Sequence, residues 1–410
     1  MNVLMINPVH PDTPHISAVR AWRFACELAA LCHKVVLLTS SREAREPDCV
    51  ASLATHDWTK VLILACGPLD RGQARQVRPP GLLRKGLTAW RMLHHGGKEW
   101  SWSVNAVNAA KRLSEYFVPD VIWCTFGMME AVVAAKRIAA SAHRPWILDI
   151  KDNWELYVPR GLRRVMTWRI RGWAAITANS RFAAEKARVW QRTAARVVYS
   201  GVDEAFFERG PSLEAEANQF CINVVGGIYF PSQLEALLTG IEAWAARLSP
   251  KVRGRVSVRY LGGDGKLFAE VAKRCLRVIQ FEVCGYVPVK RMARLCQAAV
   301  LNAYVAHAGG FHHKLLELLA CGRPVLVCPA EDEEARDLAR KASAELIEAG
   351  EPAQVTVVLE KLHQTWLRAP ARLNSAEAFH HYSWTGQTKA LEQTLAATTS
   401  SEGRYEAEVQ

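Results

Sequence analysis

The sequence predicts an α/β protein made of two doubly wound domains, each a parallel sheet covered by helices. The chain has 410 residues, which is enough for two domains. Short apolar runs rich in β-branched residues alternate with helix-periodic segments, a pattern typical of parallel sheets buried on both faces. The alternation stops once, in a polar segment with Gly and Pro near residues 201–218, and then starts again.

The first series of elements occupies the first half of the chain. Helical periodicity is clearest at 17–31 and 129–141. Strands are predicted at 2–6, 34–39, 61–65, 121–124, 146–150, 174–178 and 196–199.

The second series repeats this rhythm. Strands are predicted at 221–226, 256–261, 278–284, 298–304, 323–328 and 344–347, and helices at 232–247, 267–276, 289–296, 312–320, 353–367 and 375–397. We therefore predict a first domain over 1–205, a second over 206–372, a final helix over 373–397 and a flexible tail over 398–410. Because ligands of open α/β sheets bind outside the carboxyl ends of the strands, we expect the two sheets to face one cleft.

Composition narrows the class of protein. Half of the residues are hydrophobic and 22% are charged, which indicates a folded globular chain and excludes a disordered one. The 52 basic residues exceed the 40 acidic ones and give a net charge of +12. This excess favours anionic partners such as nucleotides, phosphates or anionic lipid.

Cysteine usage and hydropathy predict the compartment. The 11 Cys are scattered, with no Cys-x-x-Cys pair and no His/Cys ligand spacing, so we expect reduced thiols and no bound metal. The first residues lack a signal-peptide pattern, and no apolar run is long enough to span a bilayer. We expect a cytoplasmic protein that can also contact the inner face of the cell membrane.

A glycine pair precedes the predicted helix 312–320. Gly309 and Gly310 would let the backbone approach a ligand closely, and the N–H groups of residues 311–313 would then point at it. Such an arrangement is typical of phosphate sites at helix N-termini.

Two charged residues in this helix share a face. Lys314 and Glu317 are three residues apart, and the carboxylate could accept hydrogen bonds from a ribose diol. The alternative is an ordinary solvated ion pair on a helix surface.

Polar residues follow the strand predicted at 146–150. Asp149, Lys151 and Asp152 lie at its carboxyl end, where they could orient sugar hydroxyls or change one another's pKa. The alternative is a strand-end cap with a salt bridge.

The loop after the first strand contains no glycine. His10, Thr13, His15 and Ser17 stand where a dinucleotide-binding loop would have its G-x-G-x-x-G fingerprint, which weakens a dehydrogenase interpretation. Ser17 is predicted to cap the following helix.

Two basic segments carry interleaved tryptophans. Residues 71–112 hold nine Lys/Arg against one acid and include Arg84, Lys85 and Trp90, and residues 160–173 hold five Arg and two Trp. Trp and cations together are typical of surfaces that contact anionic membranes. The alternatives are a solvated face with Trp in the core, or a surface for single-stranded nucleic acid, although no nucleic-acid-binding module is present.

Several blocks together resemble a known family. They are PWILDIKDNW (145–154), ITANSRFAAEK (176–186), YSGVDEAFF (199–207), YLGGDGK (260–266), CGYVP (284–288), GGFHHKLLELLACGRPVLV (309–327) and HHYSWTGQTKALEQTL (380–395). In this order they resemble the GT-B fold, nucleotide-sugar-dependent glycosyltransferases of the bacterial family 4 type, which consist of two Rossmann-like domains. The resemblance covers most of residues 1–395.

The resemblance implies an activity. The second domain would bind a nucleoside-diphosphate sugar, and the first domain a glycan, lipid-linked or small-molecule acceptor, with no cofactor or metal and no nucleic acid. Glu317 would hold the nucleotide ribose, and Gly309 to His312 would form the donor-phosphate loop. Transfer would retain the anomeric configuration and would serve the biosynthesis of polysaccharide, glycolipid or a related glycoconjugate. Backbone N–H groups and the helix dipole would stabilise the leaving diphosphate.

The candidate site residues fall into three groups. The catalytic candidates are Asp149, Asp152 and His307; the donor-binding candidates are Gly227, Gly309, Gly310, Phe311, His312, Lys314 and Glu317; the candidates on the acceptor and membrane side are His15, Arg84, Lys85, Trp90, Lys151 and Trp154.

The sequence departs from the family pattern in three places. Gly309 stands where the family has a first Glu, eight residues before the second, and the glycine-rich loop after the first strand is missing. The Arg or Lys that contacts the pyrophosphate after the first strand of the second domain has no match in GGIYFPSQ (226–233), and Lys266 and Lys290 are the candidates to replace it. Two alternatives therefore stay open: a catalytically degenerate nucleotide-binding or scaffold protein of the same fold, and a sugar-nucleotide epimerase.

Overall fold

The computed structural model describes residues 1–13, 15–41, 56–68, 82–208, 219–306, 310–368 and 377–400. The chain divides into two compact units. Unit 1 comprises Met1–Ser200 and Trp384–Gln410, and unit 2 comprises Gly201–Ser383.

Unit 1 is built on a seven-stranded parallel sheet. Its strands are β1 (Asn2–Ile6), β2 (Lys34–Ser41), β3 (Leu62–Pro68), β4 (Val121–Phe126), β5 (Trp146–Ile150), β6 (Ala175–Ala178) and β7 (Arg196–Val197). Their order is β3-β2-β1-β4-β5-β6-β7. The chain therefore winds outward in one direction from β1 and in the other from β4, so the topological switch point lies between these two strands.

Helices cover both faces of this sheet. They are α1 (Ile16–Ala30), α2 (Leu82–His95), α3 (Trp100–Leu113), α4 (Met129–Ala142), α5 (Arg163–Arg169) and α6 (Arg181–Gln191). Along β1, Leu4 and Ile6 belong to one buried cluster, whereas Val3 and Met5 belong to the cluster on the opposite face. Burial on both sides explains why the strand sequences are apolar throughout.

Unit 2 is built on a six-stranded parallel sheet. Its strands are β8 (Phe220–Val225), β9 (Val256–Leu261), β10 (Gln280–Gly285), β11 (Leu301–Val305), β12 (Val325–Cys328) and β13 (Leu346–Glu348). Their order is β10-β9-β8-β11-β12-β13, so the switch point lies between β8 and β11.

Seven helices within the described ranges accompany this sheet. They are α7 (Pro231–Ala245), α8 (Pro250–Arg253), α9 (Gly265–Cys275), α10 (Val289–Ala298), α11 (Lys314–Ala320), α12 (Glu333–Lys341) and α13 (Pro352–Arg368). Helices α7 and α13 pack against each other, and Trp244 and Trp366 both lie against Phe220 of β8.

The last described helix, α14 (Trp384–Ser400), belongs to unit 1. The Trp384 ring meets Phe24 of α1 edge-on at 5.3 Å, and Leu391 and Leu395 are fully buried in the same cluster. The Tyr199 amide donates to Gln387 Oε1 at 2.8 Å. This helix therefore completes one face of the unit 1 sheet.

The structure confirms the predicted alternation and shifts some boundaries. The strand predicted at 298–304 begins at Leu301, because α10 extends to Ala298. The helix predicted at 375–397 begins at Trp384, after a 3₁₀ turn over Glu377–Tyr382.

Two observations concern the described part of the chain only. The ten cysteines found there form no disulfide with one another. In the same ranges, no helix combines the length and apolarity that a bilayer span requires.

Candidate functional site

The carboxyl end of β8 forms one wall of the switch point in unit 2. The chain leaves this strand through Gly226, whose φ of 97° lies in the region that glycine adopts most readily. The Tyr260 hydroxyl donates to the Gly226 carbonyl at 2.7 Å and fixes this turn. A Cβ atom on Gly226 would lie 3.8 Å from Cε of Lys314, so the lysine stem passes directly over the glycine.

Lys314 and Glu317 form an ion pair at this point. The Lys314 Nζ donates to Glu317 Oε2 at 2.8 Å, and both side chains are half-buried. Burial alone would lower the pKa of Lys314, but the Glu317 carboxylate outweighs it and holds that pKa above its ordinary value. Within the described ranges Glu317 Oε1 accepts no hydrogen bond, so the pair presents a charged lysine and an available carboxylate oxygen.

Exposed aromatic rings lie next to this pair. Tyr286 follows β10, is 76% exposed, and lies close enough to Lys314 to affect its pKa. Tyr229 is 64% exposed, and its ring would lie 3.4 Å from a Cβ atom on Gly227. Such rings offer flat apolar surfaces at the rim of the switch point.

A second cluster joins the ends of β11, β12 and β13. His312 Nδ1 lies 2.5 Å from Glu331 Oε1, which also accepts a 2.8 Å hydrogen bond from the Tyr304 hydroxyl. The Glu331 amide donates to Glu348 Oε1 at 3.1 Å. Burial, followed by the Glu331 charge, raises the pKa of Tyr304 well above its usual range. These bonds fix the segment before α11 to the loop after β12.

The switch point of unit 1 lies between β1 and β4. Asn7 Nδ2 donates to the carbonyls of Ser17 and Val9 at 3.1 and 3.2 Å, and the Ser17 hydroxyl donates to Asn7 Oδ1. A Cβ atom on Gly127 would lie 3.2 Å from Ser17 Oγ and 3.9 Å from Asp152 Oδ2. Gly127 therefore separates a buried hydroxyl from a half-buried carboxylate.

Asp152 and Lys151 form an ion pair at the carboxyl end of β5. The Lys151 Nζ donates to both Asp152 oxygens, at 2.9 and 3.1 Å. The Lys151 side chain is only 4% exposed, whereas that of Asp152 is 27% exposed. Burial raises the pKa of nearby Tyr157, and the Asp152 charge adds to this rise. Of the predicted acids in unit 1, Asp152 is the one that solvent reaches.

Asp149 requires a correction. Its two carboxylate oxygens accept hydrogen bonds from Arg20 Nε and Nη2 at 3.0 and 2.8 Å, and neither side chain is exposed. Asp149 Oδ1 also accepts from the Thr177 hydroxyl, which its place beside Asp149 on β6 explains. A carboxylate whose oxygens are bonded inside the fold cannot contact a substrate, so the predicted catalytic role is replaced by a structural one.

Two predictions about α1 and the acceptor side also change. His15, not Ser17, caps α1, since its Nδ1 accepts from the Ser17 amide at 3.2 Å and Ser17 itself is buried against Asn7. Trp154 is only 6% exposed and meets Trp190 edge-on at 5.3 Å, so it lies in the interior.

The glycine-pair helix starts later than predicted. Helix α11 begins at Lys314 and has seven residues, so residues 311–313 precede it. Phe311 is half-buried, and its ring meets His313 edge-on. His307, Gly309 and the side chains of Arg84 and Lys85 lie outside the described residues, whereas Gly310 lies within them and is half-buried.

Sequence reasoning missed several residues of these sites. The sequence does not indicate a role for Arg20, because its partner Asp149 is 129 residues away in the chain. Gly226, not its neighbour Gly227, carries the positive φ, and either could have been chosen from the sequence. Glu331 could have been found as an acid following a buried strand.

Comparison with known proteins identifies solved structures that share the fold of this chain. No protein-family model matches the chain, and no curated protein matches it in sequence. Anabaena HepE in complex with UDP-glucose is similar over 97% of this chain and 100% of its own, with 15% identity and a TM-score of 0.63. Sucrose-phosphate synthase from Thermosynechococcus elongatus is similar over 98% and 100%, with 12% identity and a TM-score of 0.66.

A third solved structure has a different printed activity. A putative UDP-N-acetylglucosamine 2-epimerase from Listeria monocytogenes is similar over 96% of this chain and 95% of its own, with 12% identity and a TM-score of 0.58. The solved structures include GT-B glycosyltransferases, and the predicted fold class of two doubly wound, GT-B-type domains is confirmed. At these identities the similarity shows the fold alone, and membership of family 4 stays a prediction.

Proposed function

We propose that the protein is a glycosyltransferase that moves a sugar from a nucleoside-diphosphate sugar to an acceptor hydroxyl. The observation that carries this proposal is the half-buried Lys314–Glu317 pair over Gly226, at the switch point of unit 2. Ligands of doubly wound sheets bind at this point. A cation beside an available carboxylate oxygen matches a ligand that has both a diphosphate and a ribose diol.

The chemistry of the donor follows from these groups. The ribose hydroxyls would donate to Glu317 Oε1, and the Lys314 ammonium would face the diphosphate. The exposed rings of Tyr229 and Tyr286 provide stacking surfaces for a base. HepE was solved with UDP-glucose, which supports UDP as the first nucleotide to test.

Unit 1 would bind the acceptor, with Asp152 as the carboxylate that orients or activates its hydroxyl. The Lys151 ammonium holds that carboxylate in place. We assign no protein nucleophile. Retention of the anomeric configuration follows only from the resemblance to the family, and the charged groups of unit 2 would stabilise the departing diphosphate. The acceptor would be a glycan, a lipid-linked glycan or a small molecule.

We also propose peripheral membrane contact through one surface of unit 1. This interfacial surface is defined by exposed Leu156, Trp168 and Val165, at 82%, 67% and 46%, with exposed Arg160 and Arg164 beside them. Apolar side chains among cations match the headgroup region of an anionic bilayer. Trp90, one of the predicted membrane residues, is 51% exposed on α2.

The experiment is a thermal-unfolding screen of the purified protein with UDP, GDP, ADP, CMP and dTDP, followed by turnover assays. A ligand at 100 times its Kd adds about 2.7 kcal/mol to the free energy of unfolding. We expect one diphosphate to raise the melting temperature and its sugar conjugate to be consumed with an acceptor. Binding without turnover over a broad acceptor panel would instead support a degenerate nucleotide-binding protein, and no binding at all would refute the donor site.

One observation favours an epimerase as the second candidate. The His312–Glu331 pair next to the proposed donor site places an imidazole and a carboxylate together, as acid–base chemistry at a sugar requires. Incubation of the sugar nucleotide with the protein in D₂O, without acceptor, distinguishes the two functions. An epimerase gives a new sugar nucleotide with solvent deuterium at one carbon, whereas a transferase leaves the donor unchanged.

A further inference from the structure

An open cavity of about 180 Å³ lies in unit 1, between α4 and the end of α5. We call it the basic pocket. It is lined by Val133, Lys136, Arg137, Ala140, Arg169 and Ile170. Three of these six residues are cationic and none is acidic.

Hydrogen bonds to main-chain carbonyls hold two of the cations in place. The Lys136 Nζ donates to the Arg169 carbonyl, and Arg137 Nη2 donates to the His94 carbonyl, both at 2.6 Å. Across the described ranges, none of the three cations has a carboxylate within ion-pair distance, and the Arg169 guanidinium makes no hydrogen bond. The positive charge of the pocket is therefore not neutralised there.

The pKa values of the groups around the pocket reflect this excess of positive charge. Burial lowers the pKa of both Lys136 and Arg137, and the Arg169 charge lowers each of them further. His95 lies beside them, and burial followed by the Arg137 charge lowers its pKa too. His95 Nδ1 is buried without a hydrogen-bond partner in the described part of unit 1. Mutual repulsion of this kind is relieved when an anion binds among the cations.

We propose that the basic pocket binds a phosphate group. Two arginines and a lysine line the cavity, and phosphate oxygens accept hydrogen bonds from both guanidinium and ammonium groups. Lys136 lies seven residues after Met129, the first residue of α4, and so about 10 Å along the helix from the end that follows β4. The pocket is therefore a site separate from the switch point of unit 1.

The phosphate could belong to a lipid headgroup or to a soluble phosphorylated ligand. Arg169 follows Trp168 of the interfacial surface directly in α5, so a bilayer at that surface would bring headgroups near the pocket. A free phosphate ester would satisfy the same donors. The proposal concerns the phosphate site, and the experiment distinguishes its two sources.

The test is competitive acetylation of lysines in the intact protein, read by peptide mass spectrometry. The probes are inorganic phosphate, and vesicles of phosphatidylglycerol or of phosphatidylcholine. Lys111 on α3 is exposed and serves as the internal reference. We expect inorganic phosphate to slow acetylation of Lys136 but not of Lys111, and chloride at equal ionic strength to have no such effect.

A variant checks the assignment of the site. Arg169→Gln should raise the phosphate concentration that protects Lys136 about tenfold, since one charge-assisted contact is lost. Lys341→Gln removes the same charge from an exposed position on α12, keeps the Lys111 reference, and should leave protection unchanged.

The outcomes are distinct. Protection by phosphatidylglycerol vesicles and not by phosphatidylcholine vesicles supports a headgroup, and protection by inorganic phosphate alone supports a soluble ligand. Equal protection by chloride, or none by any probe, would overturn the proposal in the unmodified protein, whatever the variants show.

Discussion

Arg20 of α1 and Asp149 of β5 form a bidentate ion pair from which solvent is excluded. Arg20 Nη2 also donates to the Val198 carbonyl, and Nη1 to the Ser200 hydroxyl. One guanidinium therefore connects α1 to β5 and to the segment that follows β7. Removing either member would leave the other charge buried without its partner.

The first prediction concerns this pair. Asp149→Ala should lower the free energy of unfolding by about 3–5 kcal/mol, because the Arg20 charge stays buried. Denaturant unfolding measures this, and the double variant Arg20→Met with Asp149→Leu should lose less. Native stability together with abolished turnover in Asp149→Ala would restore a catalytic role for this residue.

The second prediction concerns the donor site. Glu317→Ala should weaken nucleotide binding by about 10–100-fold, the effect of one or two lost charged hydrogen bonds. Titration calorimetry with the nucleotide found by thermal unfolding measures it. Glu270→Ala, on an exposed face of α9, is the matched control and should bind normally. Equal affinities in both variants would remove Glu317 from the site.

The third prediction concerns the turn at Gly226. Tyr260→Phe removes the hydroxyl that donates to the Gly226 carbonyl and accepts from the Asp264 amide. Stability should fall by about 1 kcal/mol, and nucleotide affinity should fall as well, because the turn that supports Lys314 is no longer fixed. A loss of stability with unchanged affinity would show that the turn does not contribute to binding.

The fourth prediction concerns pH. His363 on α13 lies among Phe220, Trp244 and Trp366, and burial lowers its pKa below the ordinary 6.5. The unfolded chain therefore binds more protons than the folded one below that value, so stability is lost as the pH falls from 6.5 through the folded pKa.

Replacing this histidine should remove its share of the acid sensitivity. The unfolding free energy of His363→Phe should fall less than that of the unmodified protein between about pH 7.5 and pH 5.5. His143→Asn, at an exposed position, is the control and should keep the original dependence. Identical pH profiles for all three proteins would contradict the prediction.

The fifth prediction concerns the interfacial surface. Trp168→Ala should reduce the affinity for phosphatidylglycerol vesicles, measured by cosedimentation, about 10–100-fold, because burial of a large apolar side chain contributes about 1.5–3 kcal/mol. Tyr116→Ala, an aromatic residue exposed to 60% elsewhere in unit 1, should sediment normally. Equal sedimentation of both variants would end the membrane proposal.

Local patterns in the sequence were enough for the elements of the fold. The strands β1, β5 and β9 were predicted to the residue. For β5 the reason is that Pro145 and Lys151 bound its apolar run. The order of the strands could not be read from these runs, since it depends on pairings between distant parts of the chain. The switch points therefore became visible only in the structure.

The candidate site was harder to predict from the sequence, for the same reason. Helical spacing predicted that Lys314 and Glu317 share a face, and the ion pair between them is the alternative that the sequence left open. The role of Asp149 depends on Arg20, and the strand-end position that made Asp149 resemble a catalytic acid carried no information about that partner. The cap of α1 was misassigned because His15 and Ser17 are both able to cap, and burial beside Asn7 decided between them.

The assignment of α14 to unit 1 has a consequence for synthesis on the ribosome. Unit 2 is continuous in sequence, so all of its strands have been made before Trp384 emerges. Unit 1 starts first but keeps the apolar patch around Phe24 uncovered until Trp384, Leu391 and Leu395 arrive. The nascent chain thus completes its second globule before its first, and exposed apolar surface in such an intermediate is the kind that chaperones bind.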